Sequence, residues 1–259
     1  MKQILPVLLS AGMGKRLGDN NKNLPKALLK INERYLISYQ LQKLHALGFK
    51  KALIVVGFKQ SLIKKVIGKD FNGMTINYVL NEDFNNSGTA YSFFKAKAFW
   101  KEDRASILMM HTDLFYDLNI LDMALSDQNH SLLLTDEDYL NNTNDEMVVF
   151  AKNKNVYKVE KGPKEIKNSV GESLGINFFS STFCENYFAF LDNFFLIDEN
   201  KKYHWEQTLK LFLENNSQCK LKFLGIEKRL WININYKSDL DYAVNIIFDT
   251  LYNKPSLKN

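Results

Sequence analysis

Residues 4–9, Ile-Leu-Pro-Val-Leu-Leu, form an unbroken apolar run closed by Ser10-Ala11-Gly12. A strand with no polar alternation is buried on both faces, as happens in the middle of a parallel sheet covered by helices on each side. With 259 residues, 46% of them apolar, the chain can bury a substantial core, which excludes a coiled coil or a disordered chain. The downstream residues agree with a covered parallel sheet. After a polar stretch punctuated by Gly12, Gly14, Gly18 and Pro25, helical spacing of Leu36, Ile37, Tyr39, Leu41, Leu44 and Leu47 predicts a helix over 35–47, with Gly48 as its stop signal. Strands are expected at 52–56, 75–80 and 106–110, alternating with helices at 61–67, 89–100 and 118–124.

Strand, helix, strand units of this kind predict an α/β fold: a Rossmann-like, mainly parallel sheet flanked by helices. The second half reads differently. Segments 131–135, 147–151, 156–160 and 173–179 are strand-like and joined by polar turns, which predicts antiparallel additions at the sheet edge. Helices are expected at 182–190 and 205–213, then a strand at 220–226 and a closing helix at 239–251. No repeat or low-complexity linker divides the 259 residues, so one domain spanning 1–259 is expected. Within it, about 1–127 forms one half and about 128–259 the other.

Charge narrows the partners. Thirty-four basic and 29 acidic residues give a net charge of +5, spread along the chain without a Lys/Arg block, so nucleic acid is not an expected partner. A small, strongly anionic ligand is favoured by a mild positive excess. Cys184 and Cys219 match neither a metal spacing nor a disulfide framework. The apolar run at the start is far too short to span a bilayer, and no other run reaches that length, so a reduced, cytoplasmic protein without a membrane segment is expected.

The loop Leu9-Ser10-Ala11-Gly12-Met13-Gly14-Lys15-Arg16-Leu17-Gly18 follows the buried strand, so it lies at the carboxyl edge of the sheet, where open α/β folds bind ligands. Gly12 and Gly14 let backbone N–H groups approach an anion, and Lys15 and Arg16 add charge-assisted bonds to phosphate oxygens. A Walker loop is excluded because Arg16 stands where Ser or Thr is needed, and a dinucleotide fingerprint because Leu17 stands where its third glycine belongs. An ordinary glycine turn with two solvated cations would be the plain alternative. Leu24-Pro25-Lys26-Ala27-Leu28 weakens it by adding a lysine beside a proline that fixes its backbone. His111-Thr112-Asp113 ends the apolar strand at 106–110 and aims a carboxylate at the same edge. By itself, Asp113 reads equally as a cap or turn residue.

Together, the Leu9–Leu17 segment and Leu24-Pro25-Lys26-Ala27-Leu28 resemble the signature of the nucleotidyltransferases of the sugar-1-phosphate type, and most of the chain follows that family's order. The resemblance implies a nucleotide-diphospho-sugar transferase type of fold, with the first half binding nucleotide and the second binding the acceptor. It implies that Leu9, Ser10, Ala11, Gly12, Gly14 and Lys15 wrap the triphosphate, with Arg16 on its distal phosphates. Lys26 would bridge the reacting phosphates and offset charge at the five-coordinate α-phosphorus. Asp113 would be a ligand of Mg²⁺, which takes only one or two oxygens from protein, with Asp117 a weaker candidate. A second metal ligand is expected from a motif often reading Glu-Ile-Asp, but here Asn233-Ile234-Asn235 replaces both acids with amides. Asn235 could serve through its carbonyl oxygen, with loss of charge.

Within that family, the stretch Asn81-Glu82-Asp83-Phe84-Asn85-Asn86-Ser87-Gly88-Thr89-Ala90-Tyr91-Ser92 resembles the base-recognition segment of the phosphocholine, 2-aminoethylphosphonate and phosphoglutamine cytidylyltransferase branch. Asn81, Gly88 and Thr89 are its nucleotide-binding candidates. Ser87-Gly88-Thr89 departs toward the Gly-Thr-Ala of sugar enzymes, which keeps a sugar 1-phosphate open as the acceptor. Gly171-Glu172-Ser173-Leu174-Gly175-Ile176-Asn177-Phe178 and His204-Trp205-Glu206 also resemble the cytidylyltransferase branch. This implies CTP as donor, a phosphorylated small amine or amino acid as acceptor, and a role in cell-surface or capsule modification, by a monomer or homodimer. An inactive nucleotide-binding regulator is the alternative of another class, motivated by Asn233 and Asn235.

An acceptor phosphate with a second pKa near ~6 is already an ionised nucleophile at neutral pH, so no general base is required. His45, His111, His130 and His204 accordingly show no catalytic spacing. Tyr139, Phe178, Phe179, Tyr203 and Trp205 could supply an aromatic cage for a quaternary ammonium, although Phe178-Phe179 reads more simply as core. Glu172 and Glu206 could neutralise an acceptor amine or be surface carboxylates.

Overall fold

The computed structural model describes residues 3–14, 16, 24–138 and 146–253. The first half runs β1 (Ile4–Ser10), a 3₁₀ turn at Lys26–Leu28, β2 (Lys30–Ile31), β3 (Arg34–Tyr35), α1 (Leu36–Ala46), β4 (Lys51–Val56), α2 (Gln60–Ile67), β5 (Asp70–Phe71), β6 (Met74–Leu80), α3 (Thr89–Lys95), α4 (Lys97–Asp103), β7 (Ser106–His111), β8 (Leu114–Tyr116) and α5 (Ile120–Ala124). The second half adds β9 (Ser131–Asp136), β10 (Met147–Lys152), β11 (Asn155–Lys161), β12 (Ser169–Phe179), α6 (Ser181–Phe194), a 3₁₀ helix at Asp198–Lys202, α7 (Trp205–Asn215), β13 (Leu221–Gly225), β14 (Trp231–Asn233) and α8 (Lys237–Tyr242), which passes into a π-helix at Ala243–Asn253.

Ten of these strands form one mixed sheet in the order β10-β11-β13-β9-β12-β7-β1-β4-β6-β5. β1 lies near its centre, parallel to β4 on one side and to β7 on the other. That position explains its continuous apolar sequence. Leu5, Val7 and Leu9 enter the core under α3, α6 and α7, whereas Leu8 enters the opposite core with Leu28, Leu41 and Ile120. Pro6 lies before the β4 pairing begins at Val7, where only β7 is in register with it. The core under α6 and α7 is aromatic: Phe93 stacks on Phe188 at 5.1 Å, and Phe179 on Phe183 at 5.1 Å. Close aromatic pairs of this kind add to the area they bury.

The second half adds to the edge of the parallel block as expected: β12 pairs antiparallel to β7, and β9 pairs antiparallel to β12 beyond it. Two expectations need correction. The helix expected at 89–100 is two helices meeting at Ala96, where the Phe93 carbonyl accepts from the Ala96 N–H three residues on. The closing helix widens into a π-helix after Tyr242. Short pieces carry no sequence signal at all, above all the two-stranded ribbon of β8 and β14, which holds no periodic pattern in three residues each.

Candidate active site

β1 and β7 end side by side, so the glycine loop and His111-Thr112-Asp113 leave the sheet at the same edge. Thr112 fastens the two ends by donating its hydroxyl to the Leu9 carbonyl at 2.9 Å. Gln40, buried on α1, donates to the carbonyls of His111 (3.0 Å) and Leu114 (3.3 Å) and so clamps the turn that presents Asp113. Neither residue stands out in the sequence, because a lone Thr or Gln carries no pattern.

Lys26 opens the 3₁₀ turn that Pro25 starts in an extended conformation, with Ala27 and Leu28 buried behind it as anchors. Its Nζ donates to Asp113 Oδ2 at 3.0 Å and to Asn235 Oδ1 at 2.8 Å. Arg16 Nη2 donates to the same Asn235 oxygen at 2.9 Å, and its guanidinium lies 5.5 Å from the Tyr236 ring centre. Asn235 arrives there because β14 pairs with β8, immediately after Asp113, and because the Asp113 carbonyl accepts from the Ile234 N–H at 2.8 Å. Asp239 fixes the approach, its Oδ2 accepting from the N–H groups of Asn235 (2.8 Å) and Tyr236 (2.7 Å).

Burial would raise the Asp113 pKa, but the Lys26 charge, the neighbouring His111, the Lys26 hydrogen bond and a backbone donor outweigh it and hold the carboxyl below its usual range. His111 is held below the usual imidazole range by burial first, with Lys26 and His204 acting the same way and Asp113 opposing them.

A cleft of about 330 Å³ joins these groups, lined by Leu9, Ser10, Ala11, Gly12, Gly14 and Arg16 on one side and Thr89, Ser92, His111 and His204 on the other. Gly14 has φ +61°, the left-handed region that favours glycine. A larger hollow of about 560 Å³ lies at the opposite edge of the sheet, around Leu47, Phe49 and Lys51, and its lining has no carboxylate. Lys15 and Tyr139 lie outside the described residues.

The remaining candidates divide. Thr89 lines the cleft and its hydroxyl accepts from the Trp205 N–H at 3.0 Å, joining α3 to the start of α7. Gly88 is there because nothing larger fits: a Cβ would stand 2.2 Å from the Tyr203 carbonyl oxygen. Gly88→Ala is expected to lower stability by about 1–3 kcal/mol through this overpacking against backbone, read as a fall in thermal midpoint. Asn81 is fully buried, and its amide donates to Ser87 Oγ (2.9 Å) and Ser92 Oγ (3.0 Å), so its side chain braces the loop from inside instead of facing a ligand. Asp117 accepts from the Asn119 N–H and shapes a turn. Asn233 is exposed on β14.

On the other half, Trp205 is 0% exposed, and its ring meets the edge of His111 at 6.4 Å; Phe178 and Phe179 are core as well. No aromatic cage forms from them. Tyr203 is half-buried, edge-on to Phe194 at 5.2 Å, and Glu172 is half-buried at the β10–β12 junction. Glu206 is not a surface carboxylate: burial raises its pKa to about 7, although a backbone donor, Trp205 and Lys161 pull the other way. Lys161, at the end of β11, has no sequence motif to mark it; its charge reaches both Glu206 and His204.

A carboxyl whose folded pKa exceeds its unfolded value contributes stability that is complete below the unfolded pKa and is lost as pH rises through the folded one. The loss for Glu206 therefore falls between about 4.5 and about 7. Glu206→Gln is expected to melt a few degrees above the parent at pH 8, with the gap closing by pH 4.5, in thermal scans across pH.

Comparison with known proteins agrees with this geometry. Residues 5–216 match the family model described as nucleotidyl transferase. The chain is 24% identical over 205 residues to the choline-phosphate cytidylyltransferase of Streptococcus pneumoniae, covering 79% of this chain and 82% of that one. It is 21% identical over 255 residues to the CTP:phosphoglutamine cytidylyltransferase of Campylobacter jejuni, covering 92% and 98%. With the CMP-5'-(3-aminopropyl)phosphonate synthase of Streptomyces rubellomurinus it shares 28% identity over 116 residues, 45% of this chain and 18% of that longer one. The solved structure of the pneumococcal CTP:phosphocholine cytidylyltransferase superposes with a TM-score of 0.73 at 22% identity, covering 95% of this chain and 99% of that one. With its central parallel strands, its glycine loop at their carboxyl edge and a match across most of its length, the chain belongs to the nucleotidyl transferase family.

Proposed function

We propose that this nucleotidyltransferase is a Mg²⁺-dependent cytidylyltransferase that joins CTP to a phosphorylated small amine or amino acid, releasing pyrophosphate and a CDP-linked product. The observation that carries the reading is the convergence of Lys26, Asp113, Asn235 and Arg16 beside the glycine loop, all tied through oxygens within 3.0 Å of a cation. The cytidylyltransferases among its relatives favour CTP as donor. In this reading the first half of the chain binds nucleotide and the second the acceptor.

The chain's own groups suit an in-line displacement. An ionised oxygen of the acceptor phosphate attacks the α-phosphorus, the bond from that phosphorus to the bridging oxygen breaks, and pyrophosphate leaves with the electron pair. Lys26 offsets charge on the α-phosphoryl oxygens, and Arg16 with the backbone of Gly12 and Gly14 holds the departing phosphates. Asp113 and Asn235 place two oxygens around one point, which fits a divalent cation that takes few protein ligands; such an ion would neutralise phosphate charge when bound. Positioning supplies the rest of the rate.

Gly88-Thr89-Ala90 supports a second reading in which the acceptor is a sugar 1-phosphate. The two are separated by following pyrophosphate release with Mg²⁺, each of the four nucleoside triphosphates, and both classes of acceptor. Release with CTP and a phosphorylated amine is expected; release only with a sugar 1-phosphate would sink the first reading. Tight nucleotide binding without release across the whole panel would instead favour an inactive, regulatory relative.

A further inference from the structure

Behind His111, which lines the cleft, a wall of the interior is polar where a protein interior is normally apolar. Ser173 pairs with Thr135 across β12 and β9, while Asn177 pairs with Leu133 on β9 and with Met109 on β7. Paired residues point to the same side of a sheet, and side chains alternate along each strand. Thr135, Ser173 and Asn177 therefore share the face that carries Leu133, Met109 and His111, the face covered by α7. Trp205 and Glu206 begin that helix, and the Trp205 ring already touches His111 from above. The His111 ring also packs 3.2 Å from where a Cβ of Gly175, on β12 between Ser173 and Asn177, would stand.

Among the described residues, the polar atoms of this group have no hydrogen-bond partner: His111 Nε2, Thr135 Oγ1, Ser173 Oγ, both Asn177 amide atoms and Glu206 Oε2. All are shut away from solvent. An unsatisfied buried polar atom costs about 1–3 kcal/mol, and native proteins hold only a few. Five residues collected where α7 covers one face of the sheet, behind the cleft, are the signature of a binding site whose occupant supplies the missing partners.

The chemistry of the wall defines that occupant. Oxygens dominate it: a carboxyl, an amide carbonyl and two hydroxyls, against the N–H groups of Asn177. Oxygen acceptors seek N–H donors. A quaternary ammonium has none and is held by aromatic faces, which are absent because Trp205, Phe178 and Phe179 have their faces packed in the core. Resting on the cytidylyltransferase reading, we infer that the acceptor's head group lodges between α7 and β12 and is selected by hydrogen bonds to Asn177, Ser173 and Glu206, so that N–H-bearing head groups are used and N-methylated ones rejected.

Phosphoethanolamine and phosphocholine form a matched pair, differing only in three methyl groups, and phosphoglutamine adds an amide-bearing probe. Steady-state pyrophosphate release with CTP and Mg²⁺ is expected to give kcat/KM at least tenfold higher for the better N–H-bearing probe than for phosphocholine. Asn177→Leu should cut that ratio to near one, with the KM for CTP unchanged. Ser173→Ala, a smaller change to the interior, should raise the KM for the N–H-bearing probe several-fold, again without affecting CTP. Equal or better use of phosphocholine, or a ratio unmoved by both variants, overturns the inference while leaving cytidylyl transfer intact. Release with a sugar 1-phosphate alone overturns the proposed function and the inference together.

Discussion

Lys26→Ala is expected to lower kcat by about 10²–10³-fold, the loss seen when one preorganised donor to a developing anion is removed. The KM for nucleotide should move much less, because in the proposed site the glycine loop and Arg16 would still hold the distal phosphates. An interaction made only in the transition state shows itself in this way. The variant should remain folded: Ala27 and Leu28, not Lys26, anchor the 3₁₀ turn in the core. Stopped-time pyrophosphate assays, beside thermal melts of the same preparation, read both quantities. A kcat within threefold of the parent would remove Lys26 from the chemistry.

Asp113→Ala is the second large effect, also about 10²–10³-fold in kcat/KM, but with a different signature. Asp113 is a proposed Mg²⁺ ligand, so raising the Mg²⁺ concentration should recover part of the lost activity in Asp113→Asn, which keeps an oxygen, and none in Asp113→Ala. The same substitution removes the counter-charge of Lys26, a pair whose side chains are 14% and 24% exposed. Breaking a largely buried pair on one side strands the other charge, so a lower melting temperature is expected near neutral pH. The sign with pH is definite: a depressed carboxyl pKa stabilises above the ordinary range near ~4 and is lost as pH falls through the depressed value. The stability gap between parent and variant should therefore be full at pH 7 and shrink only in strong acid. Identical melting curves at pH 7 would contradict it.

How far the sequence speaks for this molecule depends on the range of each signal. β1 is legible because its burial on both faces is written in six consecutive side chains, and the glycine loop because its backbone demands are local. Lys26 stands out beside Pro25 for the same reason. Which added strand meets β7 is not legible: β12 takes that place rather than β9, and either position would need the same apolar residues at 174–179. The buried wall of Thr135, Ser173 and Asn177 is hidden too. A Ser or an Asn in a strand looks solvent-facing until the partner strands and α7 fix which side it faces. Trp205 shows the converse: an aromatic residue at the expected place, with its face turned into the core.

The ribbon of β8 and β14 has a consequence for how this protein is made. Lys26 and Asn235 are 209 positions apart, and their meeting depends on a three-residue pairing that cannot form before residues 231–233 have been synthesised. Loop closure over such a span is among the slow, late events of folding. An emerging chain can complete β1, its glycine loop and the Asp113 turn on the ribosome, yet the constellation around Lys26 stays open until residues 231–235 have left the exit tunnel. Competence therefore arrives in one step, once residues 231–235 are free to pair, and a nucleotide bound in the proposed site would favour the fold as a whole rather than one half of it.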